Sequence, residues 1–455
     1  MNTSVYTLLI VESPVLARVM QKLCPPSVYI IATEGFCWQP KYDAYKNQLK
    51  AVADPEKADI RKEIKEQAKW ANSVIIATDT DPSGDFIAWS VSRFLKSTGV
   101  KRGTIQNLSK NGIYSMLSDV QELDDSRLET RLKNRFLIHD LWSKNRNLPD
   151  IQLAGLTAVF GAENRYSHFL NGNGILFKSS EQIQCAPDEL ISVYPEKHEQ
   201  HYTITKPLST FDVLEAAKEQ KFAQYYYEAQ LLLQQLFQTT LQFSDDALIS
   251  YPRTDARAFY SETWESIKNQ YIKLGSVNQL KPTFLQEIAD SDAPHESIYP
   301  LQLTVKPQKV AGELSSKPGK LYEWIYHHTI KSITMPEALA HSYVNELNPG
   351  IYFYPQQNHD FYKKSASLNP CTTVSDLGIQ LNKTGILKPS KFGKTLDEWL
   401  DKGWIKIKNN VVTPCKPVLS KMDRARNYQK ILSTLNRQAE NNSLTPETVQ
   451  SILSS

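Results

Sequence analysis

The stretch SVIIATDTDPSGDFIAW, residues 73–89, decides the fold. Its first half is a continuous apolar run that ends in acids, Asp79 and Asp81, and its second half reads as an amphipathic helix. An apolar run without alternation suits a strand buried on both faces of a parallel sheet. Two earlier runs have the same character: VYTLLIVE at 5–12, ending in Glu12, and VYIIAT at 28–33. Between them PVLARVMQKL carries helical spacing at Val15, Val19, Met20 and Leu23, and the Lys/Glu-rich stretch 55–72 reads as a solvated helix. The pattern β-α-β-α-β-α predicts an open α/β sheet.

In such sheets ligands bind in the crevice beyond the carboxyl ends of the strands, which is where Glu12, Asp79 and Asp81 fall. Three carboxylates converging there would repel one another unless a cation neutralised them. Hard oxygen ligands beside a phosphate favour a magnesium ion, which keeps several waters and needs only one or two carboxylates. The competing reading is that Asp79 and Asp81 cap the next helix. Asp85, one turn further, is either another ligand or a solvated helix-start acid.

The chain has 455 residues with an ordinary globular composition, enough for about three domains. Lys plus Arg is 52 and Asp plus Glu is 49, a net charge of +3, so a nucleic-acid partner must be met by locally arranged charge. Residues 361–420 supply it, with ten Lys against four acids and with Tyr362, Phe392, Trp399 and Trp404 interspersed. Basic groups among aromatics suit a single-strand groove, although an ordinary solvated face has the same composition. The 17 Gly and 24 Pro argue against a glycine-rich dinucleotide enzyme, and no GxxxxGK[ST] phosphate loop occurs. Cys24, Cys37, Cys185, Cys371 and Cys415 form no CxxC pair, which excludes a zinc ribbon and fits a reducing cytoplasm. No apolar run is long enough for a membrane helix, and the N-terminus reads as a first strand and not as a signal peptide.

Further along, ALISYPRTDARAFYSETWESI covers 247–267. Taken alone, Tyr251 is one of 22 tyrosines, and the ordinary role of such a residue is a buried aromatic. Arg253, two residues on, is the group that would stabilise charge if the phenol attacked a phosphodiester.

Taken together, these residues resemble the type IA DNA topoisomerases and their TOPRIM domain. In that family the first strand ends in Glu within a run like VESP, matched here by Glu12. A later strand carries Asp-x-Asp-x-Glu, matched by Asp79 and Asp81. The Tyr-Pro-Arg run matches the family's active-site motif, particularly its topoisomerase III form. The resemblance implies Tyr251 as the transesterifying nucleophile and Arg253 as its phosphate partner. LSTFDVLEAAKEQKFAQYYYEAQLLLQQLF (208–237) resembles the helices that precede the active-site Tyr. DAPHESIYP (292–300) resembles the motif that puts His295 near the scissile phosphate. DLGIQLNKTGILKPSKFGKTLDEWLDKGWI (376–405) resembles a helical segment in which Lys388 replaces a DNA-contacting Arg, with Ser390 and Lys391 beside it. Arg18 matches an Arg of the topoisomerase III branch and joins the expected DNA contacts.

Several positions depart from the family pattern. Its catalytic Lys is Ser13 or Leu16 here, its third acid is Ser83, the Arg between the acids is Pro82, and its Gly-His pair is Gly35-Phe36. Tyr299 replaces the Arg or Ile of the His motif. These losses should weaken proton transfer and metal binding.

The implied fold is multi-domain: a TOPRIM α/β domain with added α and β parts in a toroidal architecture. The expected boundaries are 1–145 for the TOPRIM domain, 146–195 for a first part of a helical lobe and 196–210 for first arch strands. The nucleophile domain follows at 211–300, a β-rich second part of the arch at 301–368, and the rest of the helical lobe at 369–455. The implied activity is ATP-independent cleavage of one DNA strand through a 5′-phosphotyrosine, strand passage and religation, with Mg2+ at Glu12, Asp79 and Asp81. The implied partner of this cytoplasmic monomer is single-stranded or underwound DNA, with no membrane. Two other readings use the same residues: a single-stranded-DNA clamp that has lost turnover, and a TOPRIM nuclease or primase-like phosphotransferase that uses only the acidic site.

Overall fold

The computed structural model describes residues 6–43, 46–79, 81–96, 99–195, 205–241, 244–275, 280–281, 295–334, 342–345, 348–356, 365–440 and 444–454. The first part follows the apolar runs. Strand β1 (Thr7–Val11) leads through helix α1 (Pro14–Leu23) to β2 (Val28–Ala32). A hairpin of β3 (Trp38–Asp43) and β4 (Gln48–Ala53), which the sequence did not announce, precedes helix α2 (Ala58–Ala68). Then come β5 (Ser73–Ile76), α3 (Pro82–Leu95), β6 (Val100–Arg102), α4 (Lys110–Ser118), β7 (Gln121–Glu122) and the long helix α5 (Asp125–Lys144).

The sheet order is β2-β1-β5-β6-β7, with the first four strands parallel and β7 antiparallel. Leu8, Leu9, Ile10 and Val11 are all fully buried, as are the inner residues of β5, because helices cover both faces. Leu9, Val11 and Ile75 face the core shared with α1 and α4, while Leu8, Ile10 and Ile76 face α3 and the hairpin. Helix α3 begins at Pro82, whose ring pre-sets the backbone angle of a first helical residue.

The second part alternates helices with a β-barrel. Helix α6 (Ile151–Gly161) is followed by β8 (Asn164–Asn171), β9 (Leu176–Cys185) and β10 (Ile191–Pro195). The first part of a helical lobe was expected over 146–195; within those bounds helix ends with α6 and strands β8, β9 and β10 follow. Burial alternates locally at Phe169 and Asn171, Phe177 and Ser179, and Ile191 and Val193, a period-2 pattern that the interspersed Asn and Ser had obscured. Helices α7 (Thr210–Glu219) and α8 (Tyr226–Gln238), a ribbon of β11 (Thr240–Leu241) and β12 (Ser244–Ala247), and α9 (Ser261–Lys273) carry the chain past Tyr251. The short α10 (Pro307–Val310) and α11 (Ser316–Ile333) lead to β13 (Tyr343–Asn345), β14 (Asn348–Pro355) and β15 (Ala366–Thr373). The remainder is α12 (Val374–Lys383), α13 (Pro389–Asp401), the hairpin β16 (Ile405–Lys408) and β17 (Val411–Pro414), α14 (Lys416–Leu419), α15 (Ala425–Glu440) and α16 (Pro446–Ser454).

Strands run β10-β13-β14-β9-β8-β15, and β15 pairs back to β10, which closes an antiparallel barrel; β17 and β16 extend from β15. Closure removes the free edges that an open sheet would expose. Phe169, Phe177, Tyr343 and Phe353 fill the interior with edge-to-face contacts. Of the arch strands expected at 196–210, residues 196–204 lie outside the described residues, as does Tyr362, and 205–209 form no strand beyond an isolated bridge at Leu208. No helix among the described residues is long and apolar enough to cross a membrane, and all five cysteines are free thiols.

Gly84, in the first turn of α3, fixes the acidic loop. A Cβ there would sit 2.0 Å from the Asp79 carbonyl oxygen. Backbone cannot yield as a flexible side chain can, so Gly84→Ala is expected to cost about 1–3 kcal/mol. Thermal melting of the variant checks this; an unchanged melting temperature would contradict the packing.

Candidate active site

Five parts of the chain meet at the carboxyl edge of the parallel sheet: the ends of β1 and β5, the loop after β6, and the segments with Tyr251 and His295. Glu12 follows β1, and the next residue, Ser13, caps α1 by accepting from the Val15 amide at 3.2 Å. Asp79 and Asp81 follow β5. Asp81 is the N-cap of α3, its Oδ1 accepting from the amides of Ser83 and Gly84, both at 2.9 Å. The helix-capping reading is therefore correct for Asp81, and it leaves Asp79 as the acid turned toward the rest of the site.

The segment with Tyr251 is stitched to the loop after β6. The Tyr251 amide donates to the Gln106 carbonyl at 3.2 Å, and the Ala247 amide donates to the Leu108 carbonyl at 2.7 Å. The segment after His295 runs alongside. Ser250 and Tyr299 exchange a backbone bond of 2.9 Å and a side-chain bond of 3.1 Å, and the Ser250 hydroxyl donates to the Ser297 carbonyl at 3.0 Å. The N-terminus of α7 holds the following turn, where the Thr210 hydroxyl donates to the Pro252 carbonyl at 2.7 Å.

The Tyr251 ring, 6% exposed, lies between Phe237 (centroids 5.6 Å apart, edge-on) and His295 (4.1 Å, tilted by 31°). Its hydroxyl donates to the Asp79 carboxylate, and the same carboxylate forms an ion pair with Arg253. Burial, and then the charge of Asp79, push the Tyr251 phenol well above its ordinary value against the pull of Arg253. Glu12 is pushed up to about 7 by burial and by Asp79, with Arg253 opposing. Burial pushes Asp79 up as well, and Arg253 again opposes. Burial holds His295 down at about 4, so its ring is neutral at pH 7, and its Nδ1 lies 3.3 Å from the Gln106 amide oxygen.

Two residues that sequence reasoning missed complete the frame. Arg102, at the end of β6, donates to the carbonyls of Thr78 (3.0 Å) and Asp79 (2.7 Å) and to the Thr78 hydroxyl. It thereby clamps the acidic loop from beneath. Gln106 touches both Tyr251 and His295. β6 has only three residues, too short to show a strand pattern, so neither position carried a signal. Asp85 is neither a ligand of the cluster nor solvated. It is 5% exposed and pairs with Arg131 at 3.2 Å and Arg102 at 3.7 Å, because α5 covers this turn of α3.

The other expected DNA contacts stand elsewhere. Lys388 and Ser390 open α13, where the Ser390 carbonyl accepts from Gln230 of α8, and Lys391 is exposed on the same turn. Arg18 is exposed on α1 and donates to the Pro14 carbonyl at 3.4 Å. The contacts given above for Tyr251, Asp79, Arg253 and His295 involve none of these four residues.

The carboxylates converge, yet among the described residues no group of three His, Cys, Asp or Glu is arranged to hold a metal ion. Arg253 and Arg102 supply much of the counter-charge instead. Two carboxylates with a phosphate and water are enough for magnesium, so the donor set fits a loosely held ion and not a closed three-carboxylate cage.

A Toprim-domain model matches residues 7–111, the segment that carries Glu12, Asp79 and Asp81. Toprim domains are generally metal-binding. DNA topoisomerase 1 of Mycoplasma pneumoniae is 22% identical over 479 aligned positions, covering 83% of this chain and 67% of that protein. DNA topoisomerase 1 of Mycoplasmoides gallisepticum is 21% identical, covering 78% and 63%. The chain thus spans about two thirds of the length of these relatives. Full-length topoisomerase I from Thermotoga maritima has the same fold, with a TM-score of 0.65 at 17% identity over 98% of this chain and 89% of that one. The chain thus carries a Toprim domain within the fold of a topoisomerase I and is similar along most of its length to bacterial DNA topoisomerases 1.

Glu12 provides a test that needs no activity. Its carboxyl titrates near 7 in the fold against 4.5 ordinarily. Folding is therefore opposed by this group progressively as pH rises from about 4.5, and fully above about 7. Glu12→Gln removes that opposition. The variant is expected to be more stable than the parent by on the order of 1 kcal/mol above pH 7, with no advantage near pH 4. Melting curves across pH check this.

Proposed function

We propose that the chain is a type IA DNA topoisomerase that cuts one strand of single-stranded or underwound DNA through Tyr251, passes a strand and reseals the break without ATP. The observation that carries this is the meeting of Tyr251, Arg253, His295, Glu12 and Asp79 in one cluster, with Tyr251 and His295 buried and the charged groups partly exposed, although they come from segments far apart in sequence. A buried phenol hydrogen-bonded to a carboxylate beside a guanidinium is poised for nucleophilic attack on phosphorus.

In the reading proposed, a DNA phosphate enters beside Arg253 and draws its guanidinium from Asp79. Asp79 then takes the phenolic proton. The Tyr251 oxygen bonds to phosphorus, the bond to the 3′ oxygen breaks, and that oxygen leaves with a proton from Glu12. A carboxyl held near 7 can serve as acid at neutral pH, and this work would otherwise fall to the Lys absent at Ser13 and Leu16. Religation reverses each transfer. Asp81, with water, would hold a magnesium ion, which would supply positive charge at the phosphate. Exposed Lys391 and Arg18, with Lys388 and Ser390, would guide the strand, with the chain acting as a cytoplasmic monomer.

The decisive experiment incubates the protein with single-stranded DNA and magnesium, traps with denaturant and looks for a covalent adduct at the new 5′ end. An adduct and plasmid relaxation are expected, and Tyr251→Phe should lower both by at least about 10⁴-fold. Absence of adducts across metals and substrates, with DNA binding retained, would overturn the enzyme in favour of a clamp. Cleavage that survives Tyr251→Phe would overturn it in favour of a nuclease.

A further inference from the structure

A second buried ionic cluster lies beyond Tyr251 and has no part in the chemistry just described. Its centre is Arg257, six residues after the tyrosine. Arg257 Nε donates to Asp212 Oδ2 at 2.8 Å, and its Nη2 reaches both Asp212 Oδ1 and the Ser375 hydroxyl, the latter at 2.7 Å. Asp212 also accepts from the amide (2.9 Å) and hydroxyl (2.6 Å) of Ser209, closing a capping box on α7. The Ser375 hydroxyl donates to Asp212 at 2.7 Å, and the Ser375 amide donates to Glu215 at 2.7 Å. Next to it Asp376 accepts from the Ser167 hydroxyl at 2.9 Å and meets His168 Nδ1 at 2.6 Å.

Ser209, Ser375 and Asp376 are at most 5% exposed. Burial by itself would raise Asp212, but Arg257 outweighs it and holds this carboxyl well below the usual range. A largely buried pair of this kind, its side chains 25% and 20% exposed, is a poor source of net stability, and its best-attested use is to fix register. The four segments that it joins are informative. Ser209, Asp212 and Glu215 open α7. Ser375 and Asp376 open α12, which continues β15 of the barrel without a break. Ser167 and His168 lie on β8, which pairs with β15. Arg257 belongs to the loop whose preceding turn is held by Thr210, through the Pro252 carbonyl (2.7 Å) and the Thr254 amide (2.8 Å). The N-terminal ends of α7 and α12 meet here, and their positive dipole ends favour the carboxylates. Arg257 is the side chain that ties the loop to both.

We propose that Arg257 is a positioning residue for the Tyr251 loop, locking it in cleavage-ready register against α7 and against the barrel through α12. The inference rests on the nucleophile reading of Tyr251 but assigns a role to a residue outside that chemistry. A displacement near 1 Å at a nucleophile can cost about 10²-fold in rate. Arg257→Ala should therefore lower the single-turnover rate of covalent adduct formation by about that factor, with the DNA concentration for half-saturation unchanged within about twofold. Arg257→Lys, which keeps the charge but not the fork, should recover part of the rate.

Hydrogen–deuterium exchange supplies a readout independent of activity. Faster exchange confined to the 250–257 peptide in Arg257→Ala, with the peptides of β1 and α8 unchanged, is expected. Ser375→Ala, which removes two hydrogen bonds and no charge, serves as a milder variant if the alanine at 257 does not fold, and should show a smaller change of the same kind. An unaltered adduct rate, a fall in DNA affinity matching the fall in rate, or exchange that quickens across the whole chain would overturn the proposal. If the parent protein itself forms no adduct, the nucleophile reading fails, and the exchange measurement still decides whether Arg257 fixes the loop.

Discussion

One carboxylate connects the two parts of the candidate site. Asp79 is delivered by the parallel sheet, and it meets a phenol and a guanidinium delivered by a segment about 170 positions further along. Without that meeting, Arg253 would be a half-buried cation lacking its ion partner, Tyr251 a hydroxyl lacking its acceptor, and the acids of the sheet edge would repel one another. A buried charge without a partner is costly, so the position of the Tyr251 segment on the sheet is set electrostatically as much as by packing. The hydrophobic contacts of Phe237 and His295 around the ring hold the orientation that the ion pair selects.

The parts of the fold that were legible in the sequence are those where burial is two-sided. β1 and β5 are continuous apolar runs because helices cover both faces, and such runs survive without alternation or turn signals; β2, at the sheet edge, keeps an apolar run although Tyr29 is exposed. Glu12, Asp79 and Asp81 were visible for the same reason, as polar residues abruptly ending apolar runs. Tyr251 was not legible from composition or spacing; it was found through the residues around it. The barrel was misread where it begins, because β8 and β9 mix Asn, Ser and Gln with their inward aromatics and carry a register shift between Tyr166 and His168 that breaks the alternation. Arg102, Gln106 and Arg257 could not be read, since each acts through contacts with residues distant in the chain.

The departures from the family pattern take on a physical sense at the site. Ser13 caps α1, a task for a short hydroxyl side chain and not for a long basic one. Ser83 uses its amide to complete the cap on Asp81. Positive charge comes instead from guanidinium groups anchored in the protein, Arg253 from one side and Arg102 from below. Fixed guanidinium groups keep their charge at any accessible pH, whereas an ammonium shifts readily when buried.

The closed barrel has a consequence for how the chain is made. Its first three strands end at Pro195, and the strands that complete it begin only at Tyr343. During synthesis from the N-terminus, β8, β9 and β10 wait with bare edges while the whole Tyr251 segment emerges. Pairing across such a sequence separation is slow, because the loop must close before the contacts can form. The polar residues that disguised these strands are suited to that interval. Asn, Ser, Gln and charged side chains on the outer face keep a half-finished sheet from recruiting a neighbouring chain before β15 arrives to close it.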